Sequence, residues 1–174
     1  MRSAQYGGMT TPTRILVPTD FSAPADAALT YALALAEKLG ATVSLVHVFD
    51  DPRIANLYSE QFVAMPDELR SQILASIGRH LADRVTKRGH TEMTPVIVTG
   101  SVAQSIIDAV ADQGADLIVM GTHGRHGVAH LLLGSVAERV VRTAACPVLT
   151  VRAPMETARH AVADTAGRLA PVHA

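Results

Sequence analysis

The chain contains no tryptophan and only three phenylalanines and three tyrosines, so its interior has to be filled with aliphatic side chains. It has one cysteine, Cys146, which excludes an internal disulfide framework. With Pro147 after it at the mouth of an apolar run, that thiol reads as a small packed group and not as a redox centre. Neither sign of charge dominates: 15 Lys and Arg against 16 Asp and Glu leave a net charge of −1, with no field to gather nucleic acid or an anionic membrane. No apolar run approaches the roughly 20 residues that cross a bilayer. The first residues also lack the charged, apolar and small-residue order of a signal peptide. A cytoplasmic protein with no nucleic-acid or membrane partner is expected.

Another absence is chemical. No G-x-x-x-x-G-K-[ST] loop occurs, and the two lysines, Lys38 and Lys87, fall in helical patterns away from any glycine-rich turn. The usual lysine on terminal phosphates is therefore missing, and hydrolysis would need a positioned water, a metal and charge stabilisation that the sequence does not assemble.

What is present is a compact aliphatic domain: 174 residues, 48% of them apolar and 18% charged. Residues Met1 to Thr13 lack periodicity and read as a loose arm. Ile15-Leu16-Val17 reads as a buried strand ending in Pro18-Thr19-Asp20, and Ser22 caps a helix that runs to Gly40. Thr42 to Val48 is a second strand, with His47 expected as a hydrogen-bonded core histidine. Asp50 to Met65 has no clear pattern. From Pro66 to Arg88, Leu69, Ile73, Ile77, Leu81 and Val85 form the stripe of an amphipathic helix ended by Gly89.

Pro95 to Val98 is a third strand, and Ser101 with Gln104 spells a capping box. The helix they open has Val102, Ile106, Ile107 and Val110 inside. Leu117 to Met120 and Val148 to Val151 are the fourth and fifth strands. The alternation of strand and helix predicts an α/β fold with an open five-stranded parallel sheet and helices on both faces. The expected domain spans 14–152, and 153–174 reads as a loose or weakly helical tail.

The most informative motif follows the fourth strand. Gly121-Thr122-His123-Gly124, nine further residues and Gly134-Ser135 lead into a helical pattern, a layout that holds phosphate with backbone N–H groups. Ser135 with Glu138 also fits a capping box, and Asp20 fits either a ribose or cation contact or the start of the first helix. Arg125 and Arg139 are the nearby cations. His123, His126 and His130 read as polar loop histidines and not as a zinc site, with no cysteine beside them.

Ile15-Leu16-Val17-Pro18-Thr19-Asp20-Phe21-Ser22, Leu45-Val46-His47-Val48 and the span Gly121 to Arg152 together resemble the universal stress protein family. The pattern G-x-x-G-x9-G-S resembles that of its ATP-binding branch. The resemblance implies strand order 3-2-1-4-5 in a fold of the adenine nucleotide alpha hydrolase type. It further implies ATP as the ligand, with Mg or Mn as an optional companion, and a homodimer through Val148 to Val151. Carried over by position, Pro18, Thr19 and Asp20 line the adenosine pocket and Val48 meets adenine through its backbone. Met120, Gly121, Gly124, Gly134, Ser135 and Val136 surround ribose and phosphates.

Departures accompany these matches: Asp50 to Met65 has no clear counterpart, the Ala-rich tail beyond Arg152 has no match, and Ala129-His130 stands where a basic residue is common. The function implied is a nucleotide-responsive stress regulator. A slow metal-dependent ATP hydrolase using Asp20 and an interaction module without nucleotide are the alternatives, and AMP or ADP stays open as ligand.

Overall fold

A computed structural model describes residues 11–50, 65–87, 93–122 and 133–152. Its elements are β1 (Arg14–Pro18), α1 (Ala23–Leu39), β2 (Thr42–Phe49), α2 (Asp67–Lys87), β3 (Met93–Thr99), α3 (Val102–Asp112), β4 (Leu117–Gly121), α4 (Ser135–Thr143) and β5 (Val148–Val151). Gly89, Gly124, Arg125, the three loop histidines, residues 51–64, the tail from 153 and the first ten residues lie outside that description.

The sheet has the order β3-β2-β1-β4-β5, and every pair in it is parallel. Alternation along each central strand divides two apolar layers. Ile15 and Val17 of β1, Leu45 of β2 and Val119 of β4 pack with Ala28, Leu29 and Leu81 of α1 and α2. Their neighbours Leu16, Val46, Ile118 and Met120 point the other way, onto Ile106 and Val110 of α3 and Val140 of α4. Pro95, which cannot donate to a ladder, sits on the edge strand β3 opposite Leu45.

Both ends of α1 follow local chemistry. Ser22 caps α1 by accepting from the Ala25 N–H at 3.4 Å, and Gly40 ends it in the left-handed region at φ 66°. At α3 the expected capping box does not form. Ser101 is the N-cap but its side chain makes no cap bond, and Gln104 Nε2 instead donates to Asp108 Oδ1 at 2.9 Å, one turn along the helix surface. In α2 the stripe begins later than the sequence implies, because Leu69 is 46% exposed while Ile77 and Leu81 are buried.

At the end of the sheet where strands begin, Asp116 ties the first strand down. Its carboxylate accepts from the Thr13 N–H, the Thr13 hydroxyl at 2.8 Å and the Arg14 N–H at 2.9 Å. Burial pushes this carboxyl up, but the hydrogen bonds from Arg14 and Thr13 outweigh that and hold it below its ordinary value.

Candidate functional site

Numbering runs 1-2-3 to one side of the sheet and 4-5 to the other, so the chain reverses direction between β1 and β4, where open parallel sheets hold their ligands. The paired register of β1 with β4 stops at Leu16 and Ile118, whereas that with β2 continues to Pro18 and Val46. The last residues of β1 and β4 are thus released from each other, and a cavity of about 830 Å³ opens beyond them. That is within the size range of small-molecule sites, roughly 300–1,000 Å³.

On the β1 side its wall includes Pro18, Thr19 and Asp20, followed by Val48 at the end of β2. On the β4 side come Met120 and Gly121, and Gly134, Ser135 and Val136 close it at the start of α4. Segments more than a hundred residues apart in sequence therefore meet at one hollow. Arg139, on an exposed part of α4, is not in this wall.

The start of α4 differs from the sequence reading by one residue. Gly134 is the N-cap, at φ −73° and ψ 156°, so the cap carries no side-chain bond, and Ser135 is the first helical residue. Glu138 supplies no capping box: its N–H bonds back to the Gly134 carbonyl, and its carboxylate pairs with Arg142 at 2.6 Å. The N–H groups of Ser135, Val136 and Ala137 belong to the first turn, which has no acceptor one turn earlier within the helix, and all three residues line the cavity. This donor set and the positive end of the helix dipole suit an anion. Together with apolar walls at Val46, Val48 and Ile106, the residues present fit a nucleotide.

Asp20 is engaged locally. Its Oδ1 accepts from the N–H of Ser22 at 3.0 Å and from the Ser22 hydroxyl, so the carboxylate helps to start α1 while also facing the cavity. Among the described residues no three His, Cys, Asp or Glu side chains gather as metal ligands.

Gly121 has a packing reason to be glycine. A Cβ there would stand 2.9 Å from the carbonyl carbon and 3.0 Å from the oxygen of Pro24, at the first turn of α1. The close approach is between β4 and α1, within the protein itself.

Sequence reasoning passed over several wall residues. Thr122, buried next to Gly121, donates its N–H to Val151 and accepts from Gly134 at 2.7 Å. Phe21, His47 and His80 also line the cavity. His47 Nδ1 lies 2.7 Å from the Thr19 carbonyl, which fits its expected hydrogen-bonded state, and its ring stacks on Phe21 at 4.5 Å. Phe21 adopts φ 66°, a left-handed conformation that costs a side-chain-bearing residue about 1–2 kcal/mol. The adjacent pair Asp20-Phe21 was the available signal, since the chain must turn sharply between β1 and the Ser22 cap.

Comparison with known proteins gives a consistent picture. The model of the Universal stress protein family matches residues 12–152. Universal stress protein MJ0531 of Methanocaldococcus jannaschii is 36% identical over 152 residues, 81% of this chain and 82% of its own. The solved structure of MJ0577, from the same organism, has a TM-score of 0.69 at 29% identity and covers 82% of this chain and 97% of that one. A universal stress protein solved in complex with cAMP has a TM-score of 0.59 at 24% identity, over 83% of this chain and 99% of its own, a likeness of fold.

Proposed function

The chain belongs to the universal stress protein family, and from that premise we propose that it is a cytoplasmic, nonenzymatic stress regulator that binds ATP or another adenine nucleotide between β1 and β4. The observation that carries this reading is the convergence of the end of β1 and the first turn of α4 on one cavity. Thr19 and Asp20 stand at one side of it as hydrogen-bonding groups for a nucleoside, and the first-turn N–H groups of α4 stand at the other as donors for phosphate. Val48 offers its backbone to the base, and Met120 and Val136 supply apolar surface.

Bound phosphate supplies negative charge at the α4 terminus and at the Gly121 to Gly134 loop, which is where a nucleotide-dependent change of surface would arise. Gly124 and Arg125 complete the loop's part in this reading, with Mg or Mn as optional companions of the triphosphate.

A second copy of the chain is the partner in this reading. Val148 to Val151 form an edge strand paired only with β4 among the described residues, and antiparallel pairing of two such edges would cover both.

Titration calorimetry with ATP, ADP and AMP tests the proposal, using the unsubstituted protein beside Gly124→Val and Gly134→Val. Saturable binding that both substitutions abolish is the expected result. Binding unchanged in both would overturn it.

A further inference from the structure

Behind the β1 to α1 turn lies a cluster to which the nucleotide reading assigns no role. Arg84 of α2 reaches across to α1 and donates from Nε to Asp26 Oδ1 at 2.9 Å and from Nη2 to Asp26 Oδ2 at 3.3 Å. The same Nη2 lies 3.4 Å from the carbonyl oxygen of Phe21, and the guanidinium carbon is 4.7 Å from the centre of the Phe21 ring. His47 stacks on that ring with 19° between planes, and His80 meets it edge-on at 5.6 Å. The Phe21 N–H is held as well, by the Thr19 hydroxyl at 3.1 Å. Both polar groups of a left-handed peptide unit and its ring are thus held from outside.

Arg84 is not part of the cavity wall, whereas Thr19, Asp20, Phe21 and His47 are. From this geometry we infer that Arg84 is a positioning residue for the nucleoside end of the cavity, acting through Phe21 and without touching the ligand. The inference rests on the nucleotide reading above. A phenylalanine released to negative φ changes the direction of the chain after Asp20. The Thr19 hydroxyl bond and the Asp20 to Ser22 bonds, which set the two polar groups facing the cavity, go with it. The requirement is for arginine: a planar fork can bind a carboxylate on one side, meet a carbonyl on another and lie over a ring, and an ammonium cannot do all three.

The test uses the full chain and the variants Arg84→Met, Arg84→Lys and Asp26→Asn, at temperatures where circular dichroism shows each folded. Two readouts are taken. One is the NMR shift of the His47 ring protons, which stacking on Phe21 moves upfield with no ligand present. The other is the dissociation constant for ATP by calorimetry. Expected are loss of the upfield shift and weakening of ATP binding by about tenfold in Arg84→Met, on the scale of one charge-assisted hydrogen bond. Little rescue is expected in Arg84→Lys and an intermediate effect in Asp26→Asn.

A role in stability alone would lower the melting temperature and leave the dissociation constant of the folded variants where it was, which overturns the inference. An upfield shift that survives in Arg84→Met also overturns it, whatever the nucleotide does. No ATP binding by the unsubstituted protein overturns the nucleotide reading, and the inference falls with it. The His47 shift then still reports whether Arg84 holds the turn, so the two failures stay distinct.

Discussion

The N–H of Gly134 donates to the carbonyl of Thr122 at 2.7 Å, so the two ends of the excursion between β4 and α4 are fastened to each other directly. The tie does not need glycine for its backbone, because Gly134 lies at φ −73°, open to any residue. Gly134→Val is therefore expected to melt within a few degrees of the unsubstituted protein while losing adenine nucleotide binding. A melting curve and a calorimetric titration of the same preparation check both halves.

Gly121 makes the opposite prediction. Gly121→Ala forces a methyl group against the Pro24 backbone, which has no flexible end to move aside, and overpacking of this kind costs about 1–3 kcal/mol. Urea denaturation should show a lower midpoint at unchanged slope. A midpoint equal to that of the unsubstituted protein would mean that α1 and β4 are not held so close.

Asp116 sets a limit on the acid side. Its carboxyl titrates below the ordinary 3.8 in the folded chain, so the unfolded chain binds the proton first as pH falls. Its contribution is fully present above that ordinary value and is lost as pH drops through the lower, folded one. Asp116→Asn should flatten the decline of stability below about pH 4, measured by thermal melts across an acid series.

Burial, and next the negative charge of Asp116, push the Cys146 thiol above its ordinary 9.0. Alkylation by iodoacetamide near neutral pH should be slower than that of a free cysteine peptide, because the thiolate is the reacting form. Asp116→Asn should speed it. In stability the sign is the reverse of the carboxylate's: nothing is lost at neutral pH, and stability falls as pH rises past 9.0 toward the raised folded value.

Much of this architecture could be read from residue order. The strands were legible because each is a short β-branched or aliphatic run, such as Ile15 to Val17 or Leu117 to Met120, closed by polar or glycine residues. The glycine motif from Gly121 to Ser135 then pointed to the end of the sheet where the cavity opens. Capping was less legible, since Ser101 and Ser135 each had the expected acid or amide three residues on, and in the structure Gln104 and Glu138 pair along their own helices instead. Propensity rules cannot say which of two local partners an exposed side chain takes. The cluster of Phe21, His47, His80 and Arg84 was invisible for another reason: Arg84 stands 58 residues from Asp26 and 63 from Phe21, and no periodicity encodes a contact at that range.

The place of β1 in the middle of the sheet has a consequence for how the protein is made. Among the described strands it is the first to be synthesised, yet one of its two neighbours, β4, follows about a hundred residues later, as the separation of 102 between Arg14 and Asp116 records. Until then one flank of this largely apolar strand carries bare amide and carbonyl groups, a template for pairing with other nascent chains. Synthesis of this protein thus includes an interval of vulnerability to aggregation that ends only when the second half of the chain arrives.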